Sequence, residues 1–356
     1  MSEAAREEPS PEATPTDTPY AGLTPQTVLD ALESVGFLGD GRLIALNSYE
    51  NRVYLVHLED GDSDIAKFYR PQRWTDAQIA EEHELLAELV GAEVPAVAPV
   101  PLVAVQAQGV RHLSAASVLA GGCLARWDGF RFAVFPRRGG RAPELEQPDV
   151  LEWIGRFIAR IHQVGARRRF MHRPSIDPES LGTAAREAVV ASGLLPPDCE
   201  RAWLNAVDAV LKPTRRAFAE LADVARLRLH GDCHPGNILW TAQGPHFVDF
   251  DDARNGPAIQ DLWMLASGSG AEAEQSLARL LTGYEAIRPF DRREFGLIEP
   301  LRSLRLIHYT GWIASRWHDP AFPVAFPWFG SSRYWHERTA ELIEQLPLLE
   351  PGVDLR

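Results

Sequence analysis

The sequence predicts an α+β chain in two lobes: an antiparallel β lobe carrying one main helix, then a mostly helical lobe. Three observations predict it. Short β-branched and aromatic runs separated by polar turns fill residues 42–69. A stretch of helical period with one apolar face follows at 76–90. Beyond residue 149 the pattern is helical, apart from one loop and hairpin between 230 and 250.

Residues 1–20 are acidic, proline-rich and poor in apolar side chains, and are expected to be a disordered tail. The first lobe is expected over 21–136 and the second over 137–356. Thr24 reads as a helix N-cap, with Pro25 at the first helical position, where its missing N–H costs little. Strands follow at 42–46, 52–58 and 65–69, joined by turns at 47–51 and 60–63. In the 76–90 helix Ile79, Leu86 and Leu89 share a face, with Glu82 between them. A buried strand, 131–136, runs into Arg137-Arg138-Gly139-Gly140, where the lobes should join. Asp149 and Glu152 read as a capping box opening a helix that ends near Gly165, with His162 as a core residue. Residues 180–228 read as helical, broken at Pro196-Pro197. Asp261 reads either as a helix start or as a brace for the loop before it. Trp312, Trp317, Trp328 and Trp335 are expected mostly in the core.

The chemistry is concentrated in His230-Gly231-Asp232-Cys233-His234-Pro235-Gly236-Asn237 and in Val248-Asp249-Phe250-Asp251. Asp232 stands five residues before Asn237, and Asp249 twelve after it. Phosphoryl transfer of the protein-kinase type uses those three groups in that order. One carboxylate accepts the proton of the attacking hydroxyl, and an amide oxygen and a second carboxylate hold the metal on the ATP phosphates. Here Gly231 replaces the usual Arg, and Asp249-Phe250-Asp251 replaces D-F-G. Runs 238–240 and 246–248 predict a hairpin turning near Gln243, which sets 237 opposite 249. Asn237 and Asp249 can then share Mg²⁺, a hard cation that completes its shell with phosphate and water. A lone Asp-to-Asn spacing would more often be a loop making local hydrogen bonds.

Within that scheme Lys67, set between Ile65 and Phe68, is the candidate for the ATP α/β-phosphates. In isolation it would read as a solvated edge residue. Glu82 is the chosen partner for Lys67, with Glu81 and Glu84 as alternatives. Ser48 lies on the first hairpin turn, where phosphates should sit; the turn has no glycine, and a serine stabilising its own turn fits equally. Backbone groups of Val134, Phe135 and Pro136 should meet the adenine edge. No G-x-x-x-x-G-K-[ST] string occurs, which excludes a P-loop enzyme.

Composition narrows the classes. Of the net charge of −13, the first twenty residues supply −4 (five acids, one Arg), leaving −9. That argues against general nucleic-acid binding. No apolar run reaches the ~18 residues of a membrane span, and the N-terminus lacks a secretory pattern. Cys123, Cys199 and Cys233 are scattered, which fits a reducing cytoplasm and gives no cysteine zinc motif. His230, Cys233 and His234 read as loop-orienting residues rather than zinc ligands. A monomer is expected.

The 230–237 loop resembles the signature of the aminoglycoside phosphotransferase/choline kinase superfamily, which shares the bilobal protein-kinase-like fold. Further strings, among them 46–54, 67–71, 251–257, 260–265, 298–302 and 319–323, are similar to a family of bacterial stress-response serine/threonine kinases within it. The resemblance spans roughly 24–345. It implies an ATP-dependent cytoplasmic protein kinase with Asp232 as proton acceptor, Asn237 and Asp249 as magnesium ligands, and Ser48 at the ATP site. Pro235 and Phe250 depart from the residues common there without removing a chemical group.

Two rivals stand beside this reading. One is a small-molecule kinase acting on choline, homoserine, a sugar or an aminoglycoside. Residues 296–338 hold five Arg against three acids, whereas a cationic acceptor favours an acidic wall. The other is a catalytically dead binding module, against which Lys67, Asp232, Asn237 and Asp249 argue together.

Overall fold

A computed structural model describes residues 18–105, 116–119, 121–266, 268 and 270–350. The expected disordered tail therefore lies outside the described residues over 1–17. Residues 18–20 form a turn, and Tyr20 is anchored: its hydroxyl donates to the Glu50 carbonyl at 2.9 Å, with the Arg52 guanidinium 4.3 Å from its ring centroid.

The first lobe holds α1 (Pro25–Glu33), β1 (Gly39–Ala45), β2 (Arg52–Leu58), β3 (Ser63–Phe68), α2 (Asp76–Gly91), β4 (Ser117–Val118), β5 (Ala125–Trp127) and β6 (Phe130–Pro136). Thr24 caps α1 by accepting from the Thr27 N–H, as the sequence suggested. Thr75 and Gln78 close a capping box on α2. The six strands form one antiparallel sheet in the order β1-β2-β3-β6-β5-β4.

Strand alternation divides the labour of the two faces. Ala66, Phe68, Phe132 and Val134 point toward α1 and form a core with Val28, Ala31 and Leu32. Lys67, Tyr69 and Ala133 point the other way; Tyr69 and Ala133 pack with Ile79 of α2. A strand register that buries Phe68 therefore turns Lys67 toward α2 and the second lobe. The Tyr69 hydroxyl and the Nε2 of His83 on α2 lie 2.7 Å apart, tying helix to sheet.

The second lobe contains α3 (Pro148–Gly165), α4 (Ala184–Ser192), α5 (Pro197–Glu220), β7 (Leu227–Leu229), β8 (Ile238–Thr241), β9 (Gly244–Phe247), β10 (Arg254–Gly256), α6 (Gln260–Trp263), α7 (Ala271–Glu285), α8 (Ile298–Ser315), α9 (Ala321–Ala325) and α10 (Ser332–Gln345). Three expectations are corrected. The N-cap of α3 is Gln147, not Asp149, and no side chain caps it; Pro148 at the first position sets the helix start instead. The stretch expected to be helical to 228 ends its helix at Glu220. Leu227–Leu229 is a strand paired with β10. Trp335 is buried, but Trp328 is 40% exposed.

Between β6 and α3 the chain docks on the β8–β9 hairpin. Arg141 and Trp240 exchange both backbone hydrogen bonds, at 3.1 and 2.7 Å. Gly140 permits this approach, since a Cβ there would stand 2.8 Å from the Leu239 Cβ. The segment linking the lobes is thereby attached to the hairpin that presents Asn237.

Burial depresses the His83 imidazole to about 3, with Lys67 and Arg173 pushing the same way. A histidine held neutral in the fold contributes stability that is full above its unfolded value near 6.5 and is lost as pH falls toward 3. Substituting His83→Gln, which keeps a partner for Tyr69, should make the loss of unfolding free energy between pH 6.5 and 5 shallower by about 1.4 kcal/mol per pH unit. Urea denaturation at three pH values measures the slope.

Candidate active site

β7 delivers the loop that starts at His230, and β10 lies beside it. Gly231 adopts φ +87, and a Cβ there would stand 2.1 Å from the Asp252 carbonyl oxygen. The position therefore demands glycine twice over, by conformation and by space. This explains the departure from the kinase string that the sequence showed without accounting for it.

Asp261 holds the loop from behind. Its carboxylate accepts from the His230 N–H at 2.8 Å and the Gly231 N–H at 2.9 Å. Nε2 of His162 lies 3.1 Å from the same carboxylate, and Nδ1 is 3.0 Å from the Tyr284 hydroxyl. Burial pushes the Asp261 carboxyl upward, but His162 and the backbone donors outweigh it and hold it below the usual carboxylate range. Of the two readings left open, the brace is the one the geometry carries, since the N-cap of α6 is Ile259. His162 is a core residue with a task.

Past Asp232 the chain makes one 3-10 turn, Pro235–Asn237, and enters β8. The Asn237 Nδ2 donates to the Asp232 carbonyl at 2.9 Å, which spends the amide nitrogen and leaves the Oδ1. The hairpin register pairs Ile238 with Phe247, and the Val248 N–H donates to the Asn237 carbonyl at 3.0 Å. Residue 237 thus faces 248, one position short of the expected 249. The chain then turns through Asp249 in the left-handed region (φ 59, ψ 63), a strained conformation for a non-glycine residue. That turn leaves the Asp249 side chain 57% exposed and within 3.4 Å of Lys67.

Lys67 is the centre of a buried charge cluster. Its Nζ stands 3.1 Å from Asp251, 3.4 Å from Asp249 and 3.6 Å from Glu82. Burial opposes the ammonium, but the three carboxylates outweigh it and raise Lys67 well above its ordinary value. Glu82, of the three candidates on α2, is the one at Lys67; its other oxygen meets Arg173 at 2.6 Å. Glu81 instead accepts from the N–H groups of Met171, His172 and Arg173, and Glu84 pairs with Arg168. Asp251 also binds Arg73, whose second nitrogen reaches Asp252 at 2.8 Å. Burial pushes the Asp251 carboxyl upward, yet Arg73 and Lys67 bring it down to about 2.

The turn between β1 and β2 is clipped to the second lobe. Glu50 accepts from Arg316 Nε at 2.9 Å and from the Trp312 indole N–H at 2.6 Å. Arg70 donates to the Tyr49 and Glu50 carbonyls at 3.2 and 3.0 Å and to Asp319 at 2.6 Å. Ser48 sits half-buried in this turn. In β6 the Val134 carbonyl already accepts from the Val100 N–H at 2.8 Å, so it is committed within the protein. Phe135 pairs with Ile65 of β3, and its ring meets His83 edge to face.

Asp232 lines a cavity of about 830 Å³ that also reaches Arg73 and Asp252. Trp263, Arg302, Tyr309 and Arg338 line it with Asp232. Arg305 on α8 donates to Asp232 Oδ1 at 2.7 Å, and His234 Nε2 lies 3.6 Å from Oδ2. His230 points elsewhere, with its Nε2 2.9 Å from the Val248 carbonyl, and Cys233 is buried. The three residues weighed as a metal set therefore serve separate partners.

Sequence reasoning missed Arg73, Arg173, Glu50, Asp251 and Arg305. The signal for Asp251 was its place in the Asp249-Phe250-Asp251 string, where a buried carboxylate demands cations. The arginines that answer it come from remote segments, which no spacing links.

Carboxylates gathered on a lysine at the junction of a β lobe and a helical lobe, beside the braced 230–237 loop, make this a kinase-type phosphotransferase. Residues 42–297 match the model of the phosphotransferase enzyme family, and the chain belongs to that family. More particularly, the chain is 45% identical over 337 residues to stress response kinase A of Escherichia coli (strain K12), covering 94% of this chain and 97% of the relative. It is 44% identical, with the same coverage, to serine/threonine protein kinase RdoA of Salmonella typhimurium. Among solved structures, amicoumacin kinase hAmiN in complex with AMP-PNP, Ca²⁺ and Ami aligns with a TM-score of 0.64 at 18% identity, covering 89% of this chain and 93% of that one. A microcompartment-associated aminopropanol kinase aligns at 0.63 and 20%, covering 91% and 98%. Those two likenesses bear on the fold.

Gly231→Ala forces a Cβ against the Asp252 carbonyl and a residue out of its allowed backbone region. It should destabilise the protein by about 2 kcal/mol or more and remove transfer activity. Thermal unfolding beside an activity assay checks both.

Proposed function

We propose that the protein is an ATP- and Mg²⁺-dependent serine/threonine protein kinase of a stress response, acting as a cytoplasmic monomer. The observation that carries this reading is the Lys67 ammonium held among Glu82, Asp249 and Asp251 at the lobe junction, with Asp232 lining a cavity that reaches Arg73 and Asp252 of the same charge network. ATP lies between the lobes, with 21–136 as the ATP-binding lobe and 137–356 as the lobe carrying the catalytic loop. Its adenine lies against β6 near Phe135 and Pro136, with Val134 contributing its side chain to the lobe core. Lys67 takes the α/β-phosphates, positioned by Glu82, and Ser48 and the backbone of its turn face the phosphates from above.

Asn237 Oδ1 and Asp249 fit a divalent ion. Both are hard oxygen donors, the Asn nitrogen is already spent, and the left-handed turn leaves the Asp249 carboxylate accessible. When bound, Mg²⁺ supplies charge neutralisation between the β- and γ-phosphates. Asp232 orients a Ser or Thr hydroxyl for in-line attack. The oxygen–phosphorus bond forms as the bond to ADP breaks, and the hydroxyl proton passes to Asp232. Positioning and fixed charges supply most of the acceleration. The protein acceptor is supported by likeness over 94% of the chain to relatives named as kinases of this kind. No helix among the described residues is long and apolar enough to cross a membrane.

Radiolabelled ATP offered with myelin basic protein, and in parallel with a panel of small alcohols, tests the reading. Phosphate should appear on protein; label appearing only on a small alcohol would replace it with the small-molecule alternative. Asp232→Ala should lower turnover by roughly a hundredfold to ten-thousandfold while ATP binding and melting persist. Asp249→Ala should abolish transfer together with metal-dependent nucleotide binding, and a fully active Asp249→Ala protein would refute its assignment.

A further inference from the structure

The cavity beyond Asp232 has a charge pattern that the transfer machinery does not use. Its acidic side chains are mostly committed. Glu50 is bound by Arg316, Asp252 by Arg73, and Glu341 by Arg338. Glu344, at the rim, is the acid left to face the opening. Two of its arginines are committed as well. Arg302 meets Glu299 at 3.1 Å and lies over the Trp263 ring, and Arg338 holds Glu341.

Arg305 differs. Its carboxylate partner is Asp232, at 2.7 Å, the group that must turn to an acceptor hydroxyl during transfer. Its side chain is 49% exposed, and its other contact is the Met264 sulfur at 3.8 Å. A hydroxyl that donates to Asp232 shares the carboxylate with the guanidinium and weakens that pair, while the remaining N–H donors of Arg305 still face the cavity. A guanidinium presents several donors in a planar fork that matches a carboxylate or phosphate. An acceptor with an anion beside its hydroxyl offsets the weakened pair; an acceptor with a cation there places like charges together.

We propose that Arg305 selects the acceptor, pairing with Asp232 in the free enzyme and with an acidic side chain of the acceptor peptide during transfer. The inference rests on the protein-kinase reading and gives it a substrate class: a Ser or Thr hydroxyl with Asp, Glu or a phosphorylated residue one or two positions away. That distance suits an extended peptide, whose residues advance about 3.3 Å each. Arg305 is a specificity residue at the same cavity, and the bond making and breaking is that already described.

The test uses the full chain with ATP and three peptides alike except for the residues flanking one Ser: Glu, Lys or phosphoserine mimicked by fixed phosphate. The wild-type protein should use the Glu and phosphate peptides with kcat/KM about tenfold or more above the Lys peptide, mainly through KM. Arg305→Ala should bring the ratio near one, Arg305→Lys should keep part of it, and Arg305→Glu should invert it. Because the side chain is half exposed, these variants leave the core filled, and unchanged melting confirms it.

Equal use of the Glu and Lys peptides by the wild type overturns the proposal while leaving the kinase reading intact. A uniform loss in Arg305→Ala with the Glu:Lys ratio preserved also overturns it, since Arg305 would then act only through Asp232. If no peptide is labelled but small alcohols are, the protein-kinase reading fails. The same comparison is then made between an alcohol bearing a carboxylate and one bearing an amine, and preference for the amine overturns the proposal.

Discussion

Everything at the lobe junction depends on one buried ammonium. Lys67 leaves water at a cost that its three carboxylates offset, and they come from two distant parts of the chain: Glu82 from α2, Asp249 and Asp251 from the segment after β9. Those carboxylates in turn require Arg73 and Arg173. Removing one member of such a cluster leaves a buried charge uncompensated, which is far costlier than exchanging the whole set for apolar groups. The cluster is accordingly a specification of geometry more than a reservoir of stability. It fixes how β3, α2 and the segment after β9 sit against one another.

A second network fixes the loop that carries Asp232. Asp261 gathers two backbone N–H groups and His162, and Tyr284 closes the chain. With the Gly231 turn lodged against Asp252, the direction in which Asp232 leaves the loop is set by groups that never approach a substrate.

Much of this was legible in the sequence because it is local. The three strands, the helix bearing Glu82, and the Asp-to-Asn spacing each follow from period or turn chemistry within a few residues. The side of β3 on which Lys67 stands follows from alternation, once Ala66 and Phe68 set the face packed on α1. What stayed hidden depends on distance along the chain. Arg73 and Asp251, or Glu50 and Arg316, are separated by well over a hundred residues, and nothing in either neighbourhood announces the other. The misplaced cap at Asp149 has the opposite origin: a local pattern was present, but Pro148 had already fixed the helix start. The strand 227–229 was missed because three residues carry too little pattern to outweigh the helix before them.

The clip on the β1–β2 turn makes α8 a strut. Arg316 and Trp312 grip Glu50 at one end, and Arg305, two turns before Trp312, touches Asp232. An 18-residue helix is a rod of about 27 Å that bends little. The β1–β2 turn and the cavity at Asp232 are therefore held at a set spacing by a single rigid element.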